Sequence, residues 1–350
     1  MLLYSIIMMN KKKELSILFW NVLADVYIKY YDNKYKGNKY DSEQELYPPQ
    51  LNYKLRQERI LCNIIHFKPD IIGLIEIQEH TYKFLVEHLG DKYFFSEIYC
   101  DKLDDDKIKY NFPKEGKCAI WKKDLNFSEI DIRCINSAFG RKIIDFKFKF
   151  DNKVIHYIIH HNSPVYMYSV DKDGNYLDPE NNKYEKIYKD NDSEYNQIVE
   201  IHPGVYKKFI RGGAIACLEG LLDYVNNNID TNDILFIGGD FNSQPSYPKV
   251  KKSHVPEYID KMKIKLTDLH SYRNDKTFFS LRHDGRRLDY IFYSHNKVIP
   301  KYIKSIILPC YNANNLSEDF TPRIIRKMNY EYQIMYFGSD HQPIYGIFLI

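Results

Sequence analysis

The chain has 350 residues, 44% hydrophobic and 28% charged, which is typical of a soluble globular protein with a sizeable core. Its net charge of +3 permits a polyanionic substrate but does not demand one, because proteins that bind nucleic acids are often much more basic. The six cysteines are scattered without a CxxC pair, which argues against a zinc site and indicates free thiols in a reducing compartment.

The apolar amino terminus, residues 1–9, is too short to span a membrane. Its lysines follow the apolar stretch, whereas a signal peptide carries them before it. No later segment approaches twenty apolar residues. We therefore expect a cytoplasmic protein with no membrane partner, and the sequence leaves its oligomeric state open.

Short runs rich in Ile, Phe and Tyr predict buried strands, and apolar residues at helical spacing predict helices between them. The predicted strands are Leu15–Trp20, Ile71–Glu76, Cys118–Trp121, Ile143–Phe150, Val154–His160, Ile234–Ile237, Leu288–Phe292 and Ile344–Ile350. The predicted helices are Arg56–Phe67, Thr81–Leu89 and Phe209–Val225. Mixed strands and helices of this kind indicate an α/β fold.

Two polar, tyrosine-rich stretches interrupt the pattern, at residues 30–52 and 166–208. The second follows a candidate catalytic histidine, and a lid over the site and a surface elaboration remain equal alternatives for it. The three aspartates at 104–106 predict a solvated loop. We expect one domain over residues 14–350, preceded by an amino-terminal extension at residues 1–13.

Polar side chains stand at the ends of the apolar runs. A carboxylate or imidazole at the end of a buried strand is held rigidly where a substrate can reach it. Several such groups together suggest a hard metal ion and a water activated for phosphoester cleavage. The candidate residues are Asn21, Glu76, His161, Asp240, Asn242, Asp289, Asp340 and His341.

Glu76 is the leading metal ligand, because it is a lone acid at the end of the apolar run IIGLIE. Burying it without a partner cation would be costly. Glu79 is the rival, although its position before TYKFLVEHL predicts a helix start, where an acid interacts favourably with the helix dipole.

The segment GGDFNSQP is the sharpest local signal in the chain. Its paired glycines would allow a tight turn, and Asp240 and Asn242 would share one face if the chain is extended. Asp240 could then orient or deprotonate the attacking water, and Asn242 could hold the phosphate. An Asx-turn after a strand explains the same residues equally well.

The histidines allow several roles. His341 gains an orienting carboxylate if Asp289 lies beside it, although Asp289 could instead pair with Arg286 or Arg287. His161 could donate to a phosphoryl oxygen, and strand alternation would turn His160 to the other face. Asn21 could orient Glu76 or contact phosphate, or it could simply form an Asx-turn.

The set also resembles a known family. FWNVLADVY, PDIIGLIEI, HHNSP, GGDFNSQP, RRLDYIFYS and GSDHQP occur in the order seen in the endonuclease/exonuclease/phosphatase superfamily. The resemblance runs from Ser16 to the carboxyl terminus. It implies a two-layer β-sandwich flanked by helices, as in DNase I, and phosphoester hydrolysis that depends on Mg²⁺ or Mn²⁺.

The resemblance also implies roles for individual residues. Glu76 resembles the metal-binding glutamate, and Asn21 and Asp340 are placed with it among the metal-site residues. The phosphate-contacting histidine and its His-x-x-Pro context match HNSP. The implied catalytic residues are Asp240, Asn242, His161, Asp289 and His341, of which Asn242 and His161 would also bind substrate.

The nearest branch resembles the deadenylase, nocturnin and Angel group, on the segments WNVLADVY, YPPQLNYKLRQERILCNII and GKCAIWKK. The chain departs from that pattern in two places. Ile75 stands where the family has glutamine before the metal glutamate. His160-His161-Asn162 replaces the usual Thr-His-Leu, which leaves the register of the active histidine open by one residue.

The main functional hypothesis is a Mg²⁺-dependent ribonuclease, a 3′-exonuclease acting on poly(A) or other single-stranded RNA. A phosphatase of a nucleotide or of an RNA-end phosphate is the first alternative. The second alternative is a non-catalytic RNA-binding protein that retains the fold. The sequence does not decide between exonuclease and endonuclease action or fix a base preference.

Overall fold

The first strand, Glu14–Asn21, is buried on both of its faces. Leu15, Ile17 and Phe19 point into a core shared with a second sheet, whereas Leu18 and Trp20 point towards helices. Because successive side chains of a strand alternate between its faces, a strand that is apolar on both sides needs a covering layer on each. This requirement produces a layered helix–sheet–sheet–helix arrangement.

The computed structural model describes residues 13–24, 53–101, 115–164, 166–177, 196–210, 212–242, 254–269, 278–280, 283–304, 339 and 341–350. Its helices are α1 (Tyr53–Phe67), α2 (Glu79–Leu89), α3 (Gly212–Asn228) and α4 (His254–Asp260), with a 3₁₀ helix at Ala138–Gly140. Its strands are β1 (Glu14–Asn21), β2 (Ile71–Gln78), β3 (Tyr93–Phe95), β4 (Tyr99–Cys100), β5 (Glu115–Lys122), β6 (Ser128–Asn136), β7 (Lys142–Phe150), β8 (Lys153–His161), β9 (Tyr166–Val170), β10 (Asn196–His202), β11 (Val205–Ile210), β12 (Ile234–Asp240), β13 (Leu266–Asp268), β14 (Phe278–Ser280), β15 (His283–Arg286), β16 (Asp289–Ser294), β17 (Ile299–Lys304) and β18 (Ile344–Leu349).

Two large mixed sheets form the centre of the described part of the chain. The first has the order β17–β18–β1–β2–β5–β3, with β4 also paired to β5. The second has the order β13–β16–β12–β8–β7–β6. In each sheet a central pair runs parallel, β1 with β2 and β8 with β12. Asn21, His161 and Asp240 close three of these four strands, so the parallel pairs place the candidate residues at one end of the sandwich.

Apolar side chains fill three layers. The layer between the sheets contains large residues from both, among them Phe19, Phe146, Tyr157 and Phe236. Helices α1 and α2 cover the outer face of the first sheet, and α3 and α4 cover that of the second. Burying each Leu, Ile or Phe contributes about 1.5–3 kcal/mol, so the layers hold the strand ends firmly in place. The predicted fold, a two-sheet α/β sandwich flanked by helices, is confirmed.

The polar stretch at residues 166–208 contains regular structure. Strands β10, β11 and β9 form a small antiparallel sheet in that order. The predicted helix start at Phe209 is wrong, because Phe209 pairs with Met167 across this sheet and α3 begins at Gly212. The polar stretch at 30–52 and the aspartates at 104–106 lie outside the described residues. The domain boundaries remain a prediction.

Within the described ranges, no helix is both long enough and apolar enough to cross a lipid bilayer. The cysteines there are free thiols, as expected from their scattered positions: Cys62, Cys100, Cys118, Cys134 and Cys217.

Candidate active site

Glu76 reaches the site because β2 is irregular at this residue. The pairing of β2 with β5 shifts register between Ile75 and Ile77, and Glu76 has φ +56°. Regular alternation would place Glu76 with Leu74 on the helix-covered face. The bulge turns its carboxylate towards the end of the sandwich instead, at a conformational cost of about 1–3 kcal/mol.

Asn21 joins the two sheets at this end. Its Nδ2 donates to Glu76 Oε1 at 2.9 Å, in its own sheet, and to Asp240 Oδ2 at 3.1 Å, in the other. Its Oδ1 accepts the backbone N–H of Leu23 at 3.0 Å. The Asx-turn and the orienting role, which were alternatives for Asn21, therefore occur together. The amide faces the carboxylates as a donor, and a ligand role for Asn21 remains a prediction.

Asp240 lies at the centre of the group and is buried. Its Oδ1 accepts the backbone N–H of Asn242 at 2.8 Å, so the Asx-turn is present. Asn242 has φ +49°, so the chain is not extended there, and the role of Asn242 in the site remains a prediction. Burial raises the pKa of Asp240 to about 7; the charge of His341 opposes this rise and that of Asp289 adds to it. The carboxyl group is thus poised to exchange a proton near neutral pH.

The side chain of Asn242 donates from Nδ2 to the carbonyl oxygen of Asn162 at 3.0 Å. The tight turn expected at the paired glycines is wrong, because Gly238 and Gly239 lie within strand β12. Glycine is required at both positions because neighbouring atoms leave no room for a Cβ atom. A Cβ at Gly238 would lie 2.6 Å from the Tyr157 hydroxyl, and one at Gly239 would lie 2.9 Å from the carbonyl oxygen of His160.

His341 also lies close to Asp240. Its Nδ1 is 2.8 Å from Asp289 Oδ2, and its Nε2 is 3.7 Å from Asp240 Oδ2. Asp289 and His341 are both buried. Two arginines were the alternative partners for Asp289. Arg287 makes two hydrogen bonds to Asp268, at 2.5 and 2.6 Å, and the side chain of Arg286 lies outside the described part of the structure.

Two residues that the sequence analysis did not select anchor His341. Ser339 Oγ donates to the carbonyl oxygen of Asn21 at 2.7 Å and accepts the N–H of His341 at 3.1 Å. Trp20 Nε1 donates to the carbonyl oxygen of His341 at 2.8 Å. Both ties attach the carboxyl-terminal segment to β1, and the serine in GSDH was the signal that could have indicated them. Asp340 lies outside the described residues.

Of the adjacent histidines, His161 faces the carboxylates. Its Nε2 is 3.6 Å from Glu76 Oε1 and 3.9 Å from Asp240 Oδ2. Burial, together with the charge of Arg141, holds the pKa of His161 well below its usual range. His160 points to the other face, where its ring lies 5.2 Å from that of Phe241, and burial lowers its pKa to about 3.

The buried carboxylates fit a divalent cation. Two groups have ligand atoms that lie within 4.8 Å of one another: Glu76, His161 and Asp240, and Asp240, Asp289 and His341. Closely spaced buried acids repel one another unless a cation or a proton compensates them. Glu79, the rival ligand, begins α2 on the surface and pairs with Lys83 at 2.6 Å. Glu76 is therefore the acid that the fold brings to the site.

The pattern of the Endonuclease/Exonuclease/phosphatase family matches residues 18–341 of the sequence. The chain belongs to the endonuclease/exonuclease/phosphatase family. The family expected from the motifs is confirmed, and its members are generally phosphoester hydrolases that use divalent metals. No protein of curated function matches the chain in sequence.

Solved structures share the fold at low sequence identity. ANGEL2, described as a 2′,3′-cyclic phosphatase, has a TM-score of 0.58 and 13% identity, covering 96% of this chain and 95% of its own. The human nocturnin catalytic domain has a TM-score of 0.54 and 13% identity, and the match covers 96% of this chain and 94% of that one. A humanized D. rerio TDP2 has a TM-score of 0.53 and 13% identity, and the match covers 96% of this chain and 98% of that one. The neighbours include nocturnin and ANGEL2, as the expected branch implied; at these identities the likeness shows the fold.

Proposed function

We propose that this chain is a divalent-metal-dependent ribonuclease that removes nucleotides from the 3′ end of single-stranded RNA. One observation carries the hydrolytic part of the proposal. The amide of Asn21 binds Glu76 and Asp240 together, while His161 and His341 face Asp240 at 3.9 and 3.7 Å. A carboxylate pair flanked by two imidazoles is suited to a water and a phosphoryl group.

Each residue then has a defined task. Glu76 would hold Mg²⁺ or Mn²⁺, which supplies charge neutralisation at the scissile phosphate when bound. Asp240 orients the attacking water and accepts its proton, a task that suits a carboxyl group titrating near neutral pH. His341 donates from Nε2 to a phosphoryl oxygen, and Asp289 stabilises the imidazolium. His161 donates to a second phosphoryl oxygen.

The choice of a single-stranded RNA substrate rests on the motifs and on one solved neighbour. The motifs resemble the deadenylase, nocturnin and Angel group, and a D. rerio TDP2 structure of the same fold holds a single-strand DNA product. One observation favours a second candidate, a phosphatase of 2′,3′-cyclic RNA ends. ANGEL2 in complex with adenosine-2′,3′-vanadate has a TM-score of 0.58 to this chain, above the 0.54 of nocturnin.

The test uses 5′-labelled substrates: RNA with a 3′-hydroxyl poly(A) tail, the same RNA with a 2′,3′-cyclic phosphate, and the matching DNA. Each is incubated with Mg²⁺, Mn²⁺ or EDTA, and Glu76→Gln serves as the inactive control. We expect a ladder shortening from the 3′ end of RNA that requires metal. Loss of the end phosphate without shortening would establish the phosphatase instead. A folded protein that hydrolyses none of them would favour the non-catalytic RNA-binding alternative.

A further inference from the structure

Arg141 reaches the second nitrogen of the active-site His161. Its Nη1 lies 3.2 Å from His161 Nδ1. A guanidinium group has only donors and does not lose its proton in proteins. The Nδ1 atom must therefore offer its lone pair, and in the neutral ring the proton sits on Nε2. The pairing fixes the tautomer by hydrogen-bond chemistry alone.

Arg141 is itself held in place by a buried carboxylate. Asp101 Oδ2 accepts from Arg141 Nη1 at 2.9 Å, and Asp101 Oδ1 accepts the backbone N–H of Lys142 at 2.8 Å. The ammonium group of Lys117 donates to the same Oδ1. Lys117 is fully buried, so it needs an anionic partner, and Asp101 serves both cations at once. Burial opposes ionisation of Asp101, but Lys117 and Arg141 hold its pKa below the usual range.

The strands place this group beside the active site. Lys117 lies on β5 opposite Ile75, the residue before Glu76 in β2. Arg141 follows the 3₁₀ helix Ala138–Gly140 and directly precedes β7, which pairs with the His161 strand β8. The two cations thus approach His161 from both sheets, so the position of the imidazole depends on how the sheets pack.

We propose that Arg141 is a positioning residue, held by Asp101 and Lys117, which keeps His161 in the Nε2–H form. His161 then presents a donor towards Glu76 Oε1 at 3.6 Å and Asp240 Oδ2 at 3.9 Å. It acts as a hydrogen-bond donor to the substrate and not as a metal ligand, although it lies among possible ligands. The effect of Arg141 on hydrolysis rests on the proposed function, whereas the tautomer of His161 follows from the hydrogen bond alone.

The tautomer is measured first, in metal-free protein labelled with ¹⁵N-histidine. His161 resonances are assigned by their loss in His161→Gln. We expect a pyrrole-type Nε2 and a pyridine-type Nδ1 in the unaltered protein, and the same Nε2 type at saturating Mg²⁺. A pyrrole-type Nδ1, or an Nε2 shifted to a metal-coordinated value, overturns the proposal even if no variant folds.

Variants test whether Arg141 is the cause. Arg141→Met retains the length of the side chain without donors, so we expect the His161 signals to shift towards a mixture of tautomers; Arg141→Lys restores a donor and most of the original pattern. Arg133→Met is the matched control, because Arg133 pairs with Asp131 at 2.7 Å on exposed parts of the same hairpin. An unchanged His161 pattern in folded Arg141→Met refutes the proposal.

Hydrolysis adds an independent readout. Loss of a residue that orients an active group lowers turnover by about 10–100-fold, and we expect Arg141→Met to lower kcat within that range with little change in KM. If the tautomer behaves as expected but no phosphoester is cleaved by the unaltered protein, the proposed function fails while the positioning role of Arg141 stands. An unchanged kcat in Arg141→Met, with wild-type activity present, contradicts the catalytic consequence.

Discussion

The Nδ1 atom of His341 lies 2.8 Å from Oδ2 of Asp289, and both side chains are buried. A buried carboxylate beside an imidazole fixes the orientation of the ring and stabilises its protonated form.

Asp289→Asn tests this pair, because it retains the shape and removes the charge. We expect kcat to fall by about 100-fold with KM nearly unchanged, since the effect is on the charged form of His341. Steady-state hydrolysis of labelled RNA measures both constants. Asp131→Asn, at an exposed position of β6, is the control. A kcat within a factor of two of wild type would remove Asp289 from the mechanism.

Asp240→Asn separates activity from stability. Burial raises the pKa of Asp240 from 3.8 to about 7. The stabilisation from the retained proton is therefore complete below about pH 4 and is lost as the pH rises to about 7. An asparagine cannot ionise, so the variant does not lose this stabilisation, and we expect it to be more stable than metal-free wild type. We also expect it to be inactive, because it cannot accept the proton of the attacking water. The gain in stability should be larger at pH 8 than at pH 5 by about 2–3 kcal/mol.

Urea unfolding in EDTA at the two pH values measures this difference. A variant that is less stable than wild type at pH 8 would show that Asp240 is not destabilised by burial.

Glu76→Gln tests the metal site. We expect Mg²⁺ or Mn²⁺ at about 100 times Kd to stabilise wild type by about 2.7 kcal/mol. The effect should be weaker at pH 5 than at pH 8, because protons then compete for the carboxylates. Glu76→Gln should lose this response, whereas Glu79→Gln should retain it, since Glu79 is paired with Lys83 on the surface. Thermal unfolding with and without metal provides the measurement.

Equal metal responses in the two glutamine variants would place the ion elsewhere.

The adjacent histidines are distinguished by parallel substitutions. His161→Gln should lower kcat by at least about 100-fold, because it removes a donor from the site. His160→Phe should leave kcat close to wild type, since His160 packs against Phe241 on the other face. His160 has a pKa of about 3 in the fold and about 6.5 in the unfolded chain. Below about pH 6.5 the unfolded chain therefore binds a proton at His160 that the folded chain does not bind.

His160 should therefore destabilise the fold as the pH falls from 6.5 to 5, so the stability of His160→Phe relative to wild type should rise over that range. The measurement is urea unfolding across that range, with initial rates at pH 7.5. A large loss of activity in His160→Phe, with the fold intact by circular dichroism, would reverse the assignment of the active histidine.

The central strands could be predicted from the sequence because they are buried on both faces and read as apolar runs. Strand β6 was missed because it lies at the edge of its sheet and its side chains are largely exposed. The start of α3 was misplaced because the apolar pair Phe209 and Ile210, which ends strand β11, lies only a few residues before the helix and was read as part of it.

In the site, strand ends supplied the candidate carboxylates and histidines, because polar groups there interrupt apolar runs. Two features had no such signal. The bulge at Glu76 is a backbone event that neither residue type nor spacing reveals. The partners of Arg141 are distant in the sequence, although a lysine within the apolar run GKCAIW was a visible sign of buried charge at Lys117.

Asn21 binds an acid from each sheet with a single amide group. The proposed hydrolysis would thus require both halves of the sandwich to be assembled, and neither half would be active as an excised fragment. The rate of turnover would then depend on the spacing of the two sheets. Hydrostatic pressure or mild denaturant that separates them by a fraction of an ångström would abolish activity before the secondary structure unfolds.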